Sequence, residues 1–586
     1  MHVVATAGHV DHGKSTLVRA LTGQEPDRLA EEARRGLSIE LGYCWTDLPG
    51  AGEVAFVDVP GHERFLGTTL TGLGPLRVAM LVVAADDPWM PQAAEHLAAL
   101  DALGVRHGLL VVTRADLADP GPALERARGE LAGTSLGDAP SVCVSGRTGA
   151  GLDGLRRALV EVLRSVPAPD PDADVRFWVD RRFRVRGTGL VVTGTLVAGT
   201  VRPGTVLEVD GEAVRVRGVE ALGRARGAVA APARVALDLG GRAPEALRRG
   251  AQLVTPGSVL HAAEVDVRVR PEEVPTRRPV LHVGTDHVEV RARPLGPGLV
   301  RLRPSRPVPL RVGDRAVLRD PGSRRVWGVE VLDPLPPPLD RRGAATVRAG
   351  VLAGHDGSVA DELRRRGVVA RGLLRRLGVV GDPPAGTLLA GDLLLSAERV
   401  EALRERLVAA VRDAGPAGLA PTAAARILGV DDVGVVSALA RPPLRVHAGR
   451  VVLGAEDGVP AADRRALELL AADLEADPFA APTAERLREL GLVGSRLDAL
   501  VREGRLERAG RGVVLLPGST DEAVRRLAAL EQPFTVAQAR EALGTSRRVV
   551  LPLLAHLDAA GVTARLPDDR RRTGGVSAAR AGRGAS

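Results

Sequence analysis

One lysine stands alone in this chain, inside a glycine-rich stretch. The sequence contains 80 Lys and Arg residues, and the one lysine among them is Lys14, within G-H-V-D-H-G-K-S at 8–15. Lysine carries a compact charge on a slim stem, whereas arginine carries a wide planar fork, so this position must exclude a guanidinium. The stretch fits G-x-x-x-x-G-K-[ST], in which backbone N–H groups cradle phosphates. We therefore predict a phosphate-binding loop.

The segments on both sides of the loop must position it. H-V-V-A-T-A at 2–7 is apolar and β-branched enough for a buried strand, and S-T-L-V-R-A-L-T at 15–22 is typical of a helix. The helix N-terminus adds its dipole to the N–H donors. We expect Lys14 to reach the β- and γ-phosphates of a nucleotide and Ser15 to hold Mg²⁺. A chance glycine turn is the alternative, and the flanking strand and helix disfavour it.

Two later segments add groups that could complete such a site. E-E-A-R-R-G-L-S-I-E at 31–40 is either an ordinary charged loop or a switch in which Ser38 binds the metal when a γ-phosphate is present. V-A-F-V-D-V-P-G-H at 54–62 is an apolar strand that ends in an acid. Asp58 would reach the metal, and Gly61 would let a backbone N–H approach the γ-phosphate. His62 would then lie where an attacking water is placed.

Two further strand–helix units, at 78–86 and 108–116, lead to T-R-A-D and later to V-C-V-S-G-R-T-G at 142–149. Here the chain resembles the translational GTPases of the elongation factor Tu family, whose base-reading signatures are N-K-x-D and S-A-K. Thr113 replaces the asparagine and removes one amide. The two acceptors of Asp116 match the N1–H and N2–H₂ donors of guanine, which favours GTP over ATP. The resemblance implies nucleotide contacts at Gly8, His9, Val10, Asp11, His12, Gly13, Lys14, Ser15, Thr16, Asp58, Gly61, Thr113, Arg114, Asp116, Ser145, Gly146 and Arg147.

The same resemblance assigns the catalytic parts. G-H-V-D-H-G-K-S together with D-V-P-G-H is the pairing of that family, in which the histidine positions the hydrolytic water. It implies that His62 is catalytic, assisted by transition-state charge from Mg²⁺ and Lys14. R-G-L-S-I is similar to the family's R-G-I-T-I, with Ser38 in place of a threonine. The expected metal ligands are Ser15, Ser38 and Asp58.

Composition sets wider limits. A length of 586 residues suggests about four domains, and 45% hydrophobic with 26% charged residues is ordinary for a globular protein. A net charge of +8 permits a polyanionic partner. Cys44 and Cys143 have neither a disulfide pattern nor metal-ligand spacing, which points to a reducing compartment. We find no run of about 18 apolar residues and no room for a signal peptide before the loop, and we expect a cytoplasmic protein without a membrane span.

The middle of the chain is β in character. P-A-P-D-P-D at 167–172 reads as a linker, and short alternating strands broken by glycine follow to about 333. We predict two small antiparallel barrels, with a single β-sandwich as the alternative. The family resemblance favours two barrels behind the GTPase domain.

In that family the amino acid on the tRNA is held between the GTPase domain and the first barrel. Alignment on G-T-G-L-V-V-T-G places Asp180 and Arg181 at its acidic pair, and A-R-V-A-L-D-L places Arg234 at its amide position. Two arginines in this pocket suit an anionic ligand, with Asp180 orienting them. A selenol is ionised at neutral pH, unlike a hydroxyl. The alternative is that both are surface arginines of an arginine-rich chain.

The last part of the chain is helical and repeats about every 60 residues. Three copies share a threonine before a short amphipathic helix, at Thr422, Thr483 and Thr535, and a weaker copy lies at 361–377. Helices followed by a strand pair predict winged helices, which bind nucleic acid or serve as spacers. The last copy concentrates positive charge suited to phosphates, in the recognition helix and in the wing, at Arg547, Arg548, Arg565, Arg570, Arg571 and Arg572.

Taken over its whole length, the chain is similar to the family of selenocysteine-specific elongation factors. The resemblance implies a monomeric GTPase that binds GTP, Mg²⁺ and selenocysteinyl-tRNA and delivers the tRNA to the ribosome at a recoded UGA, guided by a messenger RNA hairpin. The alternatives are an initiation-type tRNA carrier and a GTP-switched winged-helix DNA-binding regulator. We expect an α/β P-loop GTPase domain at 1–168, antiparallel β-barrels at 173–258 and 259–338, and α+β winged helices at 341–396, 397–457, 458–518 and 519–586, the last binding the hairpin.

Overall fold

A computed structural model describes residues 1–26, 38–87, 89–185, 189–241, 244–273, 275–323, 325–447, 449–454 and 461–573. The chain divides into two compact units, Met1–Val400 and Glu401–Ser586. Residues 31–37 of the expected switch segment, with its R-G-L, lie outside the described residues. Within the described part, no helix is both long and apolar enough to span a membrane.

The first unit opens with a six-stranded sheet in the order β2-β3-β1-β4-β5-β6. Every pairing is parallel except that of β2 with β3. Strand β4 is buried along its whole length, as expected for a sheet covered on both faces. The strands are β1 His2–Ala7, β2 Gly42–Leu48, β3 Gly52–Asp58, β4 Val78–Ala84, β5 His107–Thr113 and β6 Ser141–Cys143.

Helices cover both faces of this sheet. Alternate residues of a strand point to opposite faces, so Val3 and Ala5 enter one apolar cluster while Val4 enters the other. The helices are α1 Lys14–Thr22, α2 Leu66–Leu73, α3 Pro91–Ala102, α4 Gly121–Leu131 and α5 Leu152–Ser165, with a 3₁₀ turn at Glu63–Phe65. The loops at the carboxyl ends of the parallel strands meet at one edge, where such sheets bind ligands.

Two closed antiparallel barrels follow, which confirms the prediction and excludes the single sandwich. The first has the order β10-β15-β7-β8-β14-β11 and closes through the pairing of β10 with β11; β12 extends it, and β9 pairs with β13. Its strands are β7 Arg176–Val185, β8 Gly189–Ala198, β9 Thr200–Val201, β10 Val206–Val209, β11 Glu212–Ala221, β12 Arg224–Ala225, β13 Val229–Ala230, β14 Ala233–Gly240 and β15 Gln252–Val254. Residues of β14 alternate between buried and half-buried, as a barrel wall requires.

The second barrel closes in the order β17-β20-β19-β18-β22-β23, and β16 pairs with β21 beside it. Closure leaves neither barrel with an unpaired edge along its main strands. The strands are β16 Leu260–Ala262, β17 Val265–Arg270, β18 Val280–Val283, β19 Asp286–Gly296, β20 Leu299–Pro304, β21 Val308–Leu310, β22 Arg315–Arg319 and β23 Val326–Asp333.

The first helical copy ends the first unit, and a buried ionic network joins it to the second barrel. Asp333 of β23 accepts hydrogen bonds from Arg365 at 2.9 Å and from Arg366 at 2.6 Å, and it also pairs with Arg348. Arg348 donates in turn to Asp266 at 2.7 Å. The elements of this copy are α6 Ala344–Ala353, α7 Val359–Arg366, β24 Val368–Ala370, α8 Arg371–Leu377, β25 Leu388–Ala390 and β26 Leu393–Leu395.

Three more helical copies with strand pairs follow. The second has α9 Ala397–Asp413, a 3₁₀ turn at Gly415–Ala417, α10 Pro421–Leu428, α11 Val433–Leu439, β27 Leu444–His447 and β28 Arg450–Leu453. The third has α12 Ala461–Ala476, α13 Ala484–Glu489, α14 Ser495–Arg502, β29 Glu507–Gly510 and β30 Val513–Leu515. The fourth has α15 Ser519–Ala528, α16 Val536–Ala542, α17 Arg547–Ala559, β31 Thr563–Arg565 and β32 Arg571–Thr573.

Two of the three expected threonine caps are present. Thr483 caps α13, and Thr535 caps α16 in a full capping box with Gln538. The expectation for Thr422 is wrong: α10 begins at Pro421 and is preceded by Ala420 without a side-chain cap. Proline suits the first helical position because its φ is already helical, so the helix begins at Pro421 and Thr422 lies inside the first turn, where it cannot be the capping residue.

The third and fourth copies share one apolar core within the second unit. Phe479 and Leu470 of the third copy belong to the same buried cluster as Phe534 and Leu553 of the fourth. The Thr545 hydroxyl, just before α17, donates to the Phe479 carbonyl at 2.5 Å. These two copies therefore form one folding body.

Candidate functional site

The predicted phosphate loop connects β1 to α1. Gly13 is the residue before α1 and has φ of 80°, a left-handed conformation that favours glycine. A Cβ at Gly8 would lie 2.1 Å from the Val82 carbonyl oxygen, so this close approach also requires glycine. The Lys14 Nζ donates to the carbonyls of His9 at 2.6 Å and Gly8 at 3.2 Å. Its ammonium thus lies across the loop, at the centre of an anion-binding surface.

A cavity of about 660 Å³ joins this loop to the two expected base-reading segments. Most of the predicted nucleotide residues line it, whereas Gly8, His9, His12, Asp58 and Ser145 stand behind the lining or beside it. Leu17, Glu25 and Leu117 also line the cavity and were missed by sequence reasoning. The lining residues are Val10, Asp11, Gly13, Lys14, Ser15, Thr16, Leu17, Glu25, Ser38, Gly61, Thr113, Arg114, Asp116, Leu117, Gly146 and Arg147.

Thr113 joins the base-reading segment to the phosphate loop. Its hydroxyl lies 2.7 Å from the His12 carbonyl oxygen and 3.2 Å from that of Val83. Asp116, three residues on, accepts a hydrogen bond from the Ser145 hydroxyl, which holds the pKa of this carboxyl below its usual range. The Arg147 Nε lies 3.5 Å from the other side of the same carboxylate. Asp116 is therefore an anion whose oxygens can accept two donors from a base.

Three oxygen-bearing side chains meet below the phosphate loop. The Ser15 hydroxyl donates to Asp58 at 2.7 Å and lies 3.2 Å from the Ser38 hydroxyl. The Thr6 hydroxyl holds the other Asp58 oxygen at 2.5 Å, a contact that the sequence did not predict. Two hydroxyls and one carboxylate form a hard-oxygen set of the kind that binds Mg²⁺ beside phosphates, so the expected ligands fit the metal.

Gly61 brings the end of β3 against the phosphate loop. A Cβ at this position would lie 2.4 Å from the Val10 nitrogen and 2.5 Å from the Lys14 Nζ, so only glycine fits. The next residue, His62, is half-buried and does not line the cavity. Its Nδ1 accepts the Arg64 N–H at 3.3 Å, and its ring lies 6.0 Å from that of Phe65. This bond occupies Nδ1 and leaves Nε2 for a ligand.

His96 supports the loop from α3. Its Nδ1 accepts the Gly8 N–H at 2.9 Å, and the side chain is buried. Burial, reinforced by the charge of Lys14, lowers the pKa of His96 to about 3, so the ring is neutral and can accept this bond. The two residues are far apart in sequence, and no local motif marks the histidine. Sequence reasoning therefore missed it.

A second site lies between the nucleotide-binding sheet and the first barrel, where the side-chain pocket was predicted. Arg234 pairs with Asp180 and donates to the Thr195 hydroxyl at 3.0 Å. Thr193 donates to the other Asp180 oxygen at 3.0 Å. Arg234 and Asp180 are both nearly buried, with 11% and 3% of their side chains exposed. Arg234 is thus held inside the barrel behind Asp180 and is not a surface arginine, and it does not itself line the neighbouring cavity.

Tyr43 of β2, which sequence reasoning missed, lies beneath both guanidinium groups. The centre of its ring is 4.0 Å from the Arg234 Cζ and 5.0 Å from the Arg181 Cζ. Burial raises the pKa of the phenol above its ordinary value, against the opposing charges of the two arginines. The ring stays neutral and offers its negative face to both cations.

Arg181 differs from Arg234 in its partners. It donates to the Leu41 carbonyl at 2.8 Å and to Glu40 at 3.2 Å, and it borders a cavity of about 580 Å³. The expectation that Asp180 orients both arginines is corrected here: Asp180 holds Arg234, while Glu40 and Leu41 hold Arg181. Each cation therefore has a counter-charge, so an empty pocket leaves neither of them uncompensated.

The tail arginines fall into two groups. Arg571 is nearly buried and pairs with Asp558 at 2.9 Å, so it anchors the wing, contrary to its expected role in RNA contact. Arg548 donates to the carbonyls of Ala481 and Pro482 in the third copy. The other four arginines predicted for this surface are exposed with at most local acidic partners, namely Arg547, Arg565, Arg570 and Arg572.

Comparison with known proteins follows this division of the chain. Residues 1–165 match the family described as elongation factor Tu GTP binding domain, and residues 525–572 match elongation factor SelB, winged helix. A selenocysteine-specific elongation factor from Desulfomicrobium baculatum is 36% identical over 398 residues, which are 62% of this chain and 63% of that protein. The chain thus spans slightly less than two thirds of the length of this relative.

A second relative and a solved structure complete the comparison. The gamma subunit of translation initiation factor 2 from Methanothermobacter thermautotrophicus (strain Delta H) is 34% identical over 243 residues, 35% of this chain and 59% of that protein. The crystal structure of a bacterial selenocysteine-specific elongation factor, EF-Sec, covers 98% of this chain and 100% of its own, with a TM-score of 0.68 and 24% identity. The first 165 residues therefore match the elongation factor Tu GTP binding domain, and the chain is similar to the selenocysteine-specific elongation factors and has the fold of EF-Sec.

Proposed function

We propose that this protein is an elongation factor that binds GTP and selenocysteinyl-tRNA and delivers the tRNA to the ribosome at a recoded UGA codon. The observation that carries the proposal is the pocket of Asp180, Arg234, Tyr43 and Arg181 beside the nucleotide site. The match of residues 525–572 to the SelB winged helix supports it. It works in the cytoplasm as a monomer, where ribosomes and charged tRNA are present.

The nucleotide chemistry rests on positioning and electrostatics, as phosphoryl transfer requires. The loop N–H groups and Lys14 hold the β- and γ-phosphates. Ser15, Ser38 and Asp58 would hold Mg²⁺, which would neutralise charge on the phosphates. His62, with Nδ1 bonded to the Arg64 N–H, orients the attacking water through Nε2 once the ribosome moves it to the γ-phosphate.

Asp116 selects guanine, because its carboxylate accepts both the N1–H and N2–H₂ donors. Thr113 keeps the link between base and phosphate segments but cannot supply the amide of the usual asparagine. Arg114, Gly146 and Arg147 complete the wall around the base, and Ser145 supports Asp116 through its hydrogen bond.

The pocket suits an anionic side chain. Arg181 keeps 37% of its side chain exposed toward the cavity, so its remaining N–H groups can donate to a selenolate. Arg234 adds positive charge from a fixed position, and Asp180 secures it there. A serine hydroxyl carries no charge and gains only neutral hydrogen bonds from the same donors.

The fourth winged helix contacts the messenger hairpin with its exposed arginines. Arg547 stands at the start of α17, and Arg565 and Arg570 stand in the wing. The wing pairs of Arg565 with Asp569 and of Arg570 with Asp568 are exposed, so phosphates can replace these carboxylates at little cost. Arg548 and Arg571 support this surface from behind.

The alternative is an initiation-type tRNA carrier, which the 34% identity to the initiation factor 2 gamma subunit favours. Competition among selenocysteinyl-, seryl- and cysteinyl-tRNA for the GTP-bound protein separates the two functions. We expect strong preference for selenocysteinyl-tRNA. Equal binding of all three, or preference for an initiator methionyl-tRNA, would refute the proposal.

A further inference from the structure

Arg181 is held by one short segment of the nucleotide-binding domain. Every hydrogen bond from its side chain to the described residues goes to Glu40, at 3.2 Å, or to the Leu41 carbonyl, at 2.8 Å. The ring of Tyr43 lies under the same guanidinium. The barrel that carries Arg181 therefore supplies its backbone, while residues 40–43 fix its charged end.

The same segment is attached to the metal cluster at both ends. Ser38, two residues before Glu40, lies 3.2 Å from the Ser15 hydroxyl. Gly42, the first residue of β2, pairs with Asp58 across the sheet. Three residues of extended chain span only about 10 Å, so Glu40 and Leu41 lie within that reach of Ser38.

Arg234 also contacts Tyr43 of this segment, with its Cζ 4.0 Å from the centre of the ring, but it makes no hydrogen bond to Glu40 or Leu41 among the described residues. Its acceptors, Asp180 and Thr195, belong to the barrel itself, and both arginine and carboxylate are nearly buried. Tyr43 thus lies under both guanidinium groups, while Arg234 is bonded to carboxylate and hydroxyl groups of the barrel and Arg181 to Glu40 and Leu41 of the nucleotide-binding domain.

We propose that Glu40 and Leu41 position Arg181 for the anionic side chain only while the nucleotide's metal holds Ser38. This inference rests on the proposed function and assigns its nucleotide dependence to named atoms. The ion pair of Glu40 and Arg181 is half-exposed, with 51% and 37% of the side chains accessible, so it adds little to fold stability. Its role is positional: when Ser38 is released, Arg181 loses its acceptors and turns away from the ligand.

The test compares Glu40→Gln with a matched control, Glu53→Gln. Glu53 of β3 pairs with Arg226 of the first barrel. The control substitution therefore removes another partly exposed ion pair between the same two domains, away from the pocket. Dissociation constants for selenocysteinyl-tRNA and seryl-tRNA are measured on the full chain with a non-hydrolysable GTP analogue and with GDP. Thermal unfolding of each variant checks that the fold is intact.

For selenocysteinyl-tRNA we expect Glu40→Gln to reduce the ratio of affinities in the two nucleotide states about tenfold, within the usual range of allosteric coupling. The ratio for seryl-tRNA changes much less, because a serine hydroxyl gains only a neutral hydrogen bond from Arg181 and no charge interaction. Linkage is reciprocal, so selenocysteinyl-tRNA must also raise GTP-analogue affinity about tenfold less in this variant. Glu53→Gln behaves as wild type.

Equal ratios in Glu40→Gln and wild type would overturn the inference while leaving the proposed function intact. A parallel loss for seryl-tRNA would also overturn it, since the effect would then be general and not due to Arg181. A wild-type protein without preference for selenocysteinyl-tRNA would overturn the proposed function, and the inference with it.

Discussion

At the scale of single residues, the two sites differ in how their side chains were found. Lys14, Asp58, Gly61 and Asp116 follow from motifs, because phosphate loops and base-reading turns use local spacing. Tyr43 could not be predicted in this way, since its role arises from contacts with arginines far along the chain. Local spacing identifies the nucleotide site, whereas the fold assembles the side-chain pocket.

His62 is the residue whose role depends most on a partner. We expect His62→Ala to bind GTP as wild type does but to lower ribosome-stimulated hydrolysis about 10²–10⁴-fold, because the water loses its orienting group. Single-turnover hydrolysis on programmed ribosomes measures this. The exposed His287 provides a control, as His287→Ala removes an imidazole from the second barrel. Wild-type hydrolysis by His62→Ala would remove the histidine from the mechanism.

Asp116 offers a test by base chemistry. Asp116→Asn replaces an acceptor with a donor, so nucleotide preference should shift from GTP toward xanthosine triphosphate, whose C2 carbonyl accepts. Affinities for both nucleotides, measured by competition, give the result. Asp138→Asn, an exposed change in the same domain, should leave both affinities alone. Unchanged GTP affinity in Asp116→Asn would show that another residue reads the base.

Substitution of the two pocket arginines should have different effects. Arg181→Gln should fold normally and lose selenocysteinyl-tRNA selectivity, and wild-type selectivity should decline as pH falls through the selenol's pKa. Arg234→Gln leaves Asp180 buried without its cation, so it should reduce the free energy of unfolding by about 3–5 kcal/mol. Denaturant unfolding and tRNA competition separate the two effects. Full selectivity in Arg181→Gln would assign anion recognition elsewhere.

At the scale of elements, the local sequence predicted whether a segment is a helix or a strand better than it predicted how the elements pack together. The barrels, the helix–strand alternation and two threonine caps follow from periodicity and capping chemistry. The predicted cap at Thr422 is wrong because the helix begins one residue earlier, at Pro421. The sequence did not predict the shared core of the third and fourth winged helices, since each copy carries its own complete pattern of apolar residues.

That shared core changes which fragment of the tail should be stable. A fragment of residues 461–573 should unfold in one cooperative transition. A fragment beginning at 519 exposes the surface of α17 that the third copy covers, at a cost of about 3 kcal/mol or more. Thermal unfolding of both fragments measures the difference in stability. Hairpin binding by each fragment is measured at several salt concentrations. Equal midpoints would show that the fourth copy folds alone.

At the scale of the whole molecule, the buried ionic network of the first unit makes the free energy of unfolding depend on pH. Burial alone would raise the pKa of Asp333, but the charges of Arg366, Arg365 and Arg348 outweigh it and hold the pKa below its usual range. A carboxyl with a lowered folded pKa stabilises the fold at neutral pH. It loses that contribution as pH falls below about 3.9 and through the folded value.

Asp333→Asn should therefore lower the free energy of unfolding by about 3–5 kcal/mol at pH 7, because it leaves buried arginines without their charge partner. The difference from wild type should shrink as pH falls below about 4. Urea unfolding across pH measures both. Asp340→Asn, an exposed neighbour in sequence, serves as the control and should change little. A pH-independent difference would mean that packing, and not charge, accounts for the effect.

The burial of Lys14 has a practical consequence beyond phosphate binding. A protease that cuts only after lysine has one peptide bond to attack in the whole chain, and that bond lies at the start of α1. Lys14 is 6% exposed, so cleavage must wait until the loop and the first turn of the helix open. Two fragments of very unequal size then record each opening. The rate of cleavage after Lys14 therefore reports local unfolding at the phosphate loop, and bound nucleotide should lower this rate.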